Sequence, residues 1–286
     1  MAIVLDNITY TYGVGTPFEK TALHGLSLTV ENGEFLGIIG HTGSGKSTFV
    51  QHLNGLLHPT TGTVTVNGVD ISASTEEAKK MRHKVGMVFQ YPEHQLFEET
   101  IAEDIAFGPK NLGLSADEVE ERVRDAMKFV GLDYDTYAER SPFHLSGGQM
   151  RRVAIAGVVA MDPDFLVLDE PSAGLDPFGR EEIFEEIIRL HKEKGITVIL
   201  VSHNMEDISR MASRLVVLDK GRIVLDGEPM DIFNNHRDEL QAVGVDVPPV
   251  SVTMEYLREQ GLDVSNRVLS VDDAVQAILE GGSHVK

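Results

Sequence analysis

The chain has 286 residues, 42% of them hydrophobic, and a formal net charge of −20 from 45 acidic against 25 basic side chains. This length can build one large α/β domain with a small appendage, and the acidic balance excludes nucleic acid and an anionic lipid surface as main partners. The absence of cysteine excludes disulfides and thiolate metal sites; with no N-terminal signal pattern and no run near the roughly eighteen apolar residues of a membrane helix, a soluble, cytoplasmic chain is expected.

Residues 2–39 read as short strands joined by turns, with clean alternation over 26–30 and a turn signal at Asn32-Gly33. Residues 35–39 (Phe-Leu-Gly-Ile-Ile) form a continuous apolar run with the length of a buried strand. A helix follows from Lys46 to a stop at Asn54-Gly55. Residues 63–66 with Asn67-Gly68 suggest a hairpin, and 85–89 another strand. From about 91 to 161 the pattern turns helical, over 100–107, 115–130 and 147–160, with Ser115 and Glu118 forming a capping-box pattern. Strand and helix then alternate, with strands at 165–168, 197–201, 215–218 and 222–225 and helices at 178–193 and 205–211. That order predicts a mostly parallel sheet flanked by helices, with a helical insertion in its middle. The tail breaks at Pro248-Pro249 and offers two short amphipathic helices, 252–260 and 271–279. The expected division is a main domain over 1–235 and a small C-terminal module over 236–286.

The chemistry is concentrated in three places. Gly40-His41-Thr42-Gly43-Ser44-Gly45-Lys46-Ser47 matches the G-x-x-x-x-G-K-[ST] phosphate loop, between the strand and the helix that the pattern requires. Its glycines let backbone N–H groups turn onto phosphates, Lys46 reaches the β- and γ-phosphates, and the Ser47 hydroxyl is a ligand for Mg²⁺. Residues 40–47, with Thr48 after them, form the expected nucleotide-contact set. Leu166-Val167-Leu168 delivers Asp169 and Glu170 at the C-terminal end of a strand, where open α/β sheets bind ligands. Asp169 is expected in the Mg²⁺ shell and Glu170 as the base that polarises the attacking water. Leu145-Ser146-Gly147-Gly148-Gln149 places a capping serine before two glycines at a helix start, a second anion site. One chain has no need of two phosphate sites; a second chain, bringing its own nucleotide, does.

Together these residues resemble an ATP-binding cassette (ABC) ATPase over about residues 3–235. The resemblance implies a P-loop α/β fold with a mostly parallel core sheet, an antiparallel β-subdomain and a helical insertion, using ATP and Mg²⁺. It further implies that Gln90 senses Mg²⁺ and the γ-phosphate, that Ser172-Ala173-Gly174-Leu175-Asp176 crosses a dimer interface with Asp176 near nucleotide, and that His203 contacts the γ-phosphate. Ser172 stands where many cassettes have Thr. Tyr12 matches the aromatic residue that stacks on adenine, with Tyr10 two residues away as the alternative. His24, His52, His58, His83, His94, His191, His236 and His284 show no paired ligand spacing and are expected at the surface or in packing.

Finer matches resemble the cassettes of energy-coupling factor transporters: Gly15-Thr16-Pro17-Phe18-Glu19, Gln51-His52-Leu53-Asn54-Gly55-Leu56, residues 89–109 and Ser141-Pro142-Phe143-His144. The first and last of these resemble the second of two cassette subunits. The resemblance implies a heterodimer with a similar chain, a membrane coupling subunit, an exchangeable substrate-capturing membrane subunit, and a peripheral place on the cytoplasmic face of the cell membrane. Typical cargoes are vitamins and transition metals. Residues 92–107 are the expected contact with the coupling subunit, although Leu96, Phe97, Ile101, Ile105 and Phe107 also suit the core of the insertion. Another importer or exporter cassette is the alternative. A chromosome-maintenance ATPase would need a long coiled coil where only about a hundred residues intervene, and Glu170, His203 and Gln90 together speak against a module that does not hydrolyse.

Overall fold

The computed structural model describes residues 1–91, 95–265 and 267–281. Its strands are β1 (Ala2–Tyr12), β2 (Lys20–Glu31), β3 (Phe35–Ile39), β4 (Thr61–Val66), β5 (Val69–Asp70), β6 (Val85–Val88), β7 (Phe165–Asp169), β8 (Thr197–Val201), β9 (Arg214–Asp219) and β10 (Arg222–Gly227). The helices are α1 (Lys46–Leu53), α2 (Glu76–His83), α3 (Ile101–Asn111), α4 (Ala116–Phe129), α5 (Tyr134–Tyr137), α6 (Gly147–Val159), α7 (Pro177–Lys194), α8 (Met205–Met211), α9 (Pro229–Asn235), α10 (Arg237–Ala242), α11 (Pro249–Glu259) and α12 (Val271–Gly281).

Two sheets result. An antiparallel sheet runs β2-β1-β4-β5, and a six-stranded sheet runs β10-β9-β3-β8-β7-β6. Pairings among β9, β3, β8, β7 and β6 are parallel, and β10 adds an antiparallel edge. Period-two alternation sorts the core strands onto two faces. Phe35, Ile39, Leu166, Leu168, Val198, Leu200, Leu215 and Val217 pack on the helical side. Their neighbours Leu36, Ile38, Phe165, Val167, Ile199, Val201, Val216 and Leu218 pack against α1 and the antiparallel sheet. Both faces of the parallel sheet are therefore covered, which is why its strands carry continuous apolar runs rather than alternating ones.

The insertion differs from its predicted boundaries at one helix. Thr100 caps α3 through the Glu103 N–H, and the helix continues past Gly108 with Pro109 inside it, ending at Asn111 instead of 107. Pro109 is buried, so packing holds the turn that its missing N–H weakens. α4 carries the complete Ser115–Glu118 capping box. α2 had no counterpart in the sequence reading, because Ala78 is its single buried residue and no apolar stripe exists to see. At the C-terminal end, Leu240, Val245 and Val247 join the main core, while Met254, Val264, Val268 and Ala274 form a small cluster of their own.

Candidate active site

The order of the parallel sheet assembles the site. Gln90 follows β6, Asp169 ends β7 with Glu170 next after it, His203 follows β8, and the phosphate loop follows β3, so all sit at the C-terminal edge of adjacent strands. They line one cleft of about 650 Å³, with Tyr12, Thr42, Gly43, Gly45, Lys46, Ser47 and Thr48 on its other walls.

The loop is shaped by its glycines. Gly45 precedes α1 at φ 106°, and a Cβ on Gly40 (φ 152°) would lie 2.3 Å from the Leu218 carbonyl oxygen. Lys46 is buried; its ammonium donates to the Gly40 and His41 carbonyls at 2.6 and 3.1 Å. Burial lowers its pKa, opposed by Glu170 and then Asp169. The His41 ring turns elsewhere, with Nε2 2.9 Å from Asp219 and Nδ1 2.7 Å from the Thr42 carbonyl. Ser44 is fully buried and contributes main-chain bonds, its carbonyl accepting from the Gly221 N–H at 2.8 Å. Of the two tyrosines, Tyr12 lies in the cleft with its hydroxyl 3.0 Å from Thr48 Oγ1. Tyr10 packs beneath it, edge-on to both Tyr12 and His52.

Asp169 and Glu170 are held differently. Burial raises the Asp169 pKa, opposed by Lys46, His203 and the Ser47 hydroxyl. Glu170 takes a left-handed backbone (φ 52°), uncommon for a residue with a side chain, and its N–H donates to the Val201 carbonyl at 3.0 Å. Burial, and then Asp169 beside it, push its pKa up to about 7, against Lys46 and the His203 backbone N–H. That value suits a general base at neutral pH. His203 Nδ1 stands 3.2 Å from Glu170 Oε1, yet among the described residues Oε1 makes no hydrogen bond. Burial, and then Lys46, lower the His203 pKa, with Asp169 opposing, which favours the neutral ring.

The pentapeptide lies apart. Ser146, Gly147, Gly148 and Gln149 do not line the cleft, and Ser146 and Gly147 are exposed. Ser146 Oγ accepts the Gln149 N–H at 3.3 Å while Gln149 Oε1 accepts the Ser146 N–H at 3.1 Å, a full capping box on α6. Asp176 also lies outside the cleft: its carboxylate caps α7, accepting the Gly179 N–H at 2.7 Å.

The sequence reading missed part of the cleft wall. Lys20, Thr21, Ala22, His24 and Lys220 line it, so His24 belongs to the cleft rather than to the outer surface or the core. The first three arrive through hairpin register, which pairs Lys20 with Tyr12 and Thr21 with Thr11. Lys220 arrives at the tip between β9 and β10. Register and turn position were the only signals, and neither is a motif.

With this geometry in place, the relatives are informative. The family pattern described as ABC transporter matches residues 23–173. The energy-coupling factor transporter ATP-binding protein EcfA2 of Clostridium tetani is 53% identical over 280 residues, spanning 98% of this chain and 97% of that one. The chain belongs to the energy-coupling factor ATP-binding proteins of the ABC transporter family. EcfA2 of Clostridium perfringens is 52% identical, spanning 98% of each chain. Among solved structures, cbiO1 from Clostridium perfringens, described as part of the ABC transporter complex cbiONQ, superposes with a TM-score of 0.73 at 36% identity, covering 88% of this chain and 98% of that one. The cassette MJ0796, solved as a dimer in a post-hydrolysis state with ADP and phosphate, gives 0.70 at 30% identity over 79% and 98%. The energy-coupling factor protein described here is accordingly an ATPase coupled to transport, with the P-loop ABC fold. No helix among its described residues is long and apolar enough to cross a membrane.

Proposed function

We propose that this ATPase works as one half of a cassette heterodimer on the cytoplasmic face of the membrane, where it drives uptake of a vitamin or transition-metal ion through a coupling subunit and a substrate-capturing subunit. One observation carries the dimer: the exposed anion-binding start of α6 does not line the chain's own nucleotide cleft. Ser146, Gly147 and Gly148 then serve ATP on the partner, and the partner's equivalent residues close over Lys46 and Ser47. Binding of ATP bridges the two chains, and hydrolysis releases them.

Among the described residues no group of three His, Cys, Asp or Glu side chains could cage a metal by itself. Ser47, Asp169 and Gln90 lie together in the cleft instead, a sparse oxygen set of the kind that holds Mg²⁺ with substrate phosphates. Mg²⁺ supplies charge neutralisation at the β- and γ-phosphates when bound. Within the chain, Lys46 pairs with those phosphates and the buried, unbonded Glu170 Oε1 accepts a proton from the attacking water. As the water oxygen bonds to the γ-phosphorus, the bond from that phosphorus to the bridging oxygen breaks, and ADP and phosphate leave. His203, beside Glu170, holds the γ-phosphate and the water in line.

For the coupling subunit, Leu96, Ile101 and Ile105 are core residues, while Phe97 and Phe107 are exposed and stacked edge-on at 4.8 Å. This aromatic pair is our choice for the contact; Pro92, Glu93 and His94 of the same segment lie outside the described residues. The small cluster around Met254 leaves Tyr256, Val271, Val275 and Leu279 exposed, and we assign that face to dimer contact. Affinity capture of the full chain in mild detergent, followed by mass spectrometry, tests the assembly. A second cassette, a coupling subunit and a substrate-capturing subunit should be recovered together. Recovery of the chain alone, or with the membrane domains of another importer or exporter, contradicts the proposal.

A further inference from the structure

Arg151 sits two residues beyond the pentapeptide on α6, and its side chain is 3% exposed. Burying a guanidinium is costly unless its N–H groups find acceptors. Here Nη1 donates to the Ala173 carbonyl at 3.0 Å and Nη2 to the Gln90 carbonyl at 3.3 Å. Those carbonyls belong to different loops. Gln90 follows β6 and lines the nucleotide cleft; Ala173 lies in the turn after β7, where its own N–H donates to the Glu170 carbonyl at 3.1 Å. One planar fork thus ties together a cleft residue, the turn that carries the base, and the helix whose exposed end holds the second anion site. Arginine suits the task because its fixed fork serves two separate acceptors at once.

We propose that Arg151 is a positioning residue that makes the anion-binding end of α6 move with the Gln90 loop and the turn from Glu170 to Ala173. Occupancy of this chain's cleft is thereby felt at the site it offers to the partner's ATP, and the reverse follows from reciprocity. The inference rests on the dimer reading above. It adds a mechanical link between the two nucleotide sites, through main-chain carbonyls that no change to the Gln90 or Ala173 side chain would remove.

The test uses the assembled transporter with Arg151→Gln and Arg151→Lys, measuring ATPase rate against ATP concentration, with the nucleotide affinity and melting temperature of the isolated chain alongside. The wild-type curve should be cooperative. Arg151→Gln should lower kcat about tenfold and bring the Hill coefficient to about 1, with the isolated chain's ATP affinity within about twofold of wild type. Arg151→Lys, which keeps the charge but replaces the two-armed fork with a single ammonium, should recover part of both. Unchanged kcat and Hill coefficient in Arg151→Gln, a non-cooperative wild type, or a drop explained by lost affinity in the isolated chain would each overturn the proposal. A Ser146→Arg control separates the two layers. Full activity in Ser146→Arg overturns the dimer reading itself, whereas an inactive Ser146→Arg with a normal Arg151→Gln overturns the role of Arg151 alone.

Discussion

The nucleotide cleft and the start of α6 are both anion sites, but they are finished to different degrees. In the cleft Lys46 and Glu170 are buried, their pKa values are displaced by burial, and Glu170 is held in a strained backbone. At α6 the serine and first glycine are exposed, and a capping box fixes where the N–H groups point. A low-dielectric site strengthens every charge–charge contact within it, and an exposed one does not. The first region is therefore ready for chemistry, while the second gains strength only when another surface excludes water from it. The contrast teaches that completeness of a motif in the chain and completeness of a site are separate properties.

The sharpest way to break this contrast is Glu170→Gln, which removes the base. Hydrolysis by the assembled transporter should fall by about 10²–10⁴-fold while ATP binding persists, as checked by phosphate release and nucleotide titration. Ser146→Arg attacks the other region. It should leave the isolated chain's ATP affinity intact but lower turnover in the complex by about 10²-fold, the scale for losing a positioned donor to a developing anion. Lys46→Ala reverses that pattern: a labelled ATP analogue should bind the isolated chain about 10- to 100-fold more weakly, the cost of a charge-assisted hydrogen bond.

A gentler probe is pH. Glu170 acts as a base only when ionised, and its pKa is pushed up to about 7. Turnover should hold steady above that pH and fall about tenfold per unit below it, a limb that kcat measured across the range would show. The smallest effect lies in the helices that join the two regions. Burial pushes Glu186 on α7 up to about 7, opposed by Arg152 of α6 and by Arg189, with Glu182 adding to the rise. A folded pKa above the unfolded value means that stability is greatest below the unfolded pKa and is lost as pH rises through about 7. Glu186→Gln should accordingly raise the melting temperature by a few degrees relative to wild type at pH 8, and by less at pH 5.

Most of the cleft was legible in the sequence because its chemistry demands particular residues at fixed spacing. The run from Phe35 to Ile39 had to be a buried strand, and Gly40 to Ser47 had to follow it. The core strands were equally plain, since a sheet covered on both faces admits few polar residues. What escaped had no local signature. Glu76–His83 forms α2 with a single buried residue, so no periodicity announces it. Lys20 and Thr21 reach the cleft through hairpin pairing, and Lys220 through a turn. Arg151 was hidden more deeply, because its acceptors are main-chain carbonyls 22 and 61 residues away, and any residue type has a carbonyl.

The division of labour between the two regions is tested most directly by crosslinking in the assembled transporter. This chain carries Lys46→Ala, and an ATP analogue with a photoreactive group on its γ-phosphate is activated at a concentration that fills the partner cassette but not this weakened site. Mass spectrometry should find the label on the peptide of this chain that contains Ser146, Gly147 and Gly148. Label confined to the partner, with none on that peptide, would contradict the claim that this chain's exposed anion site completes the partner's ATP site.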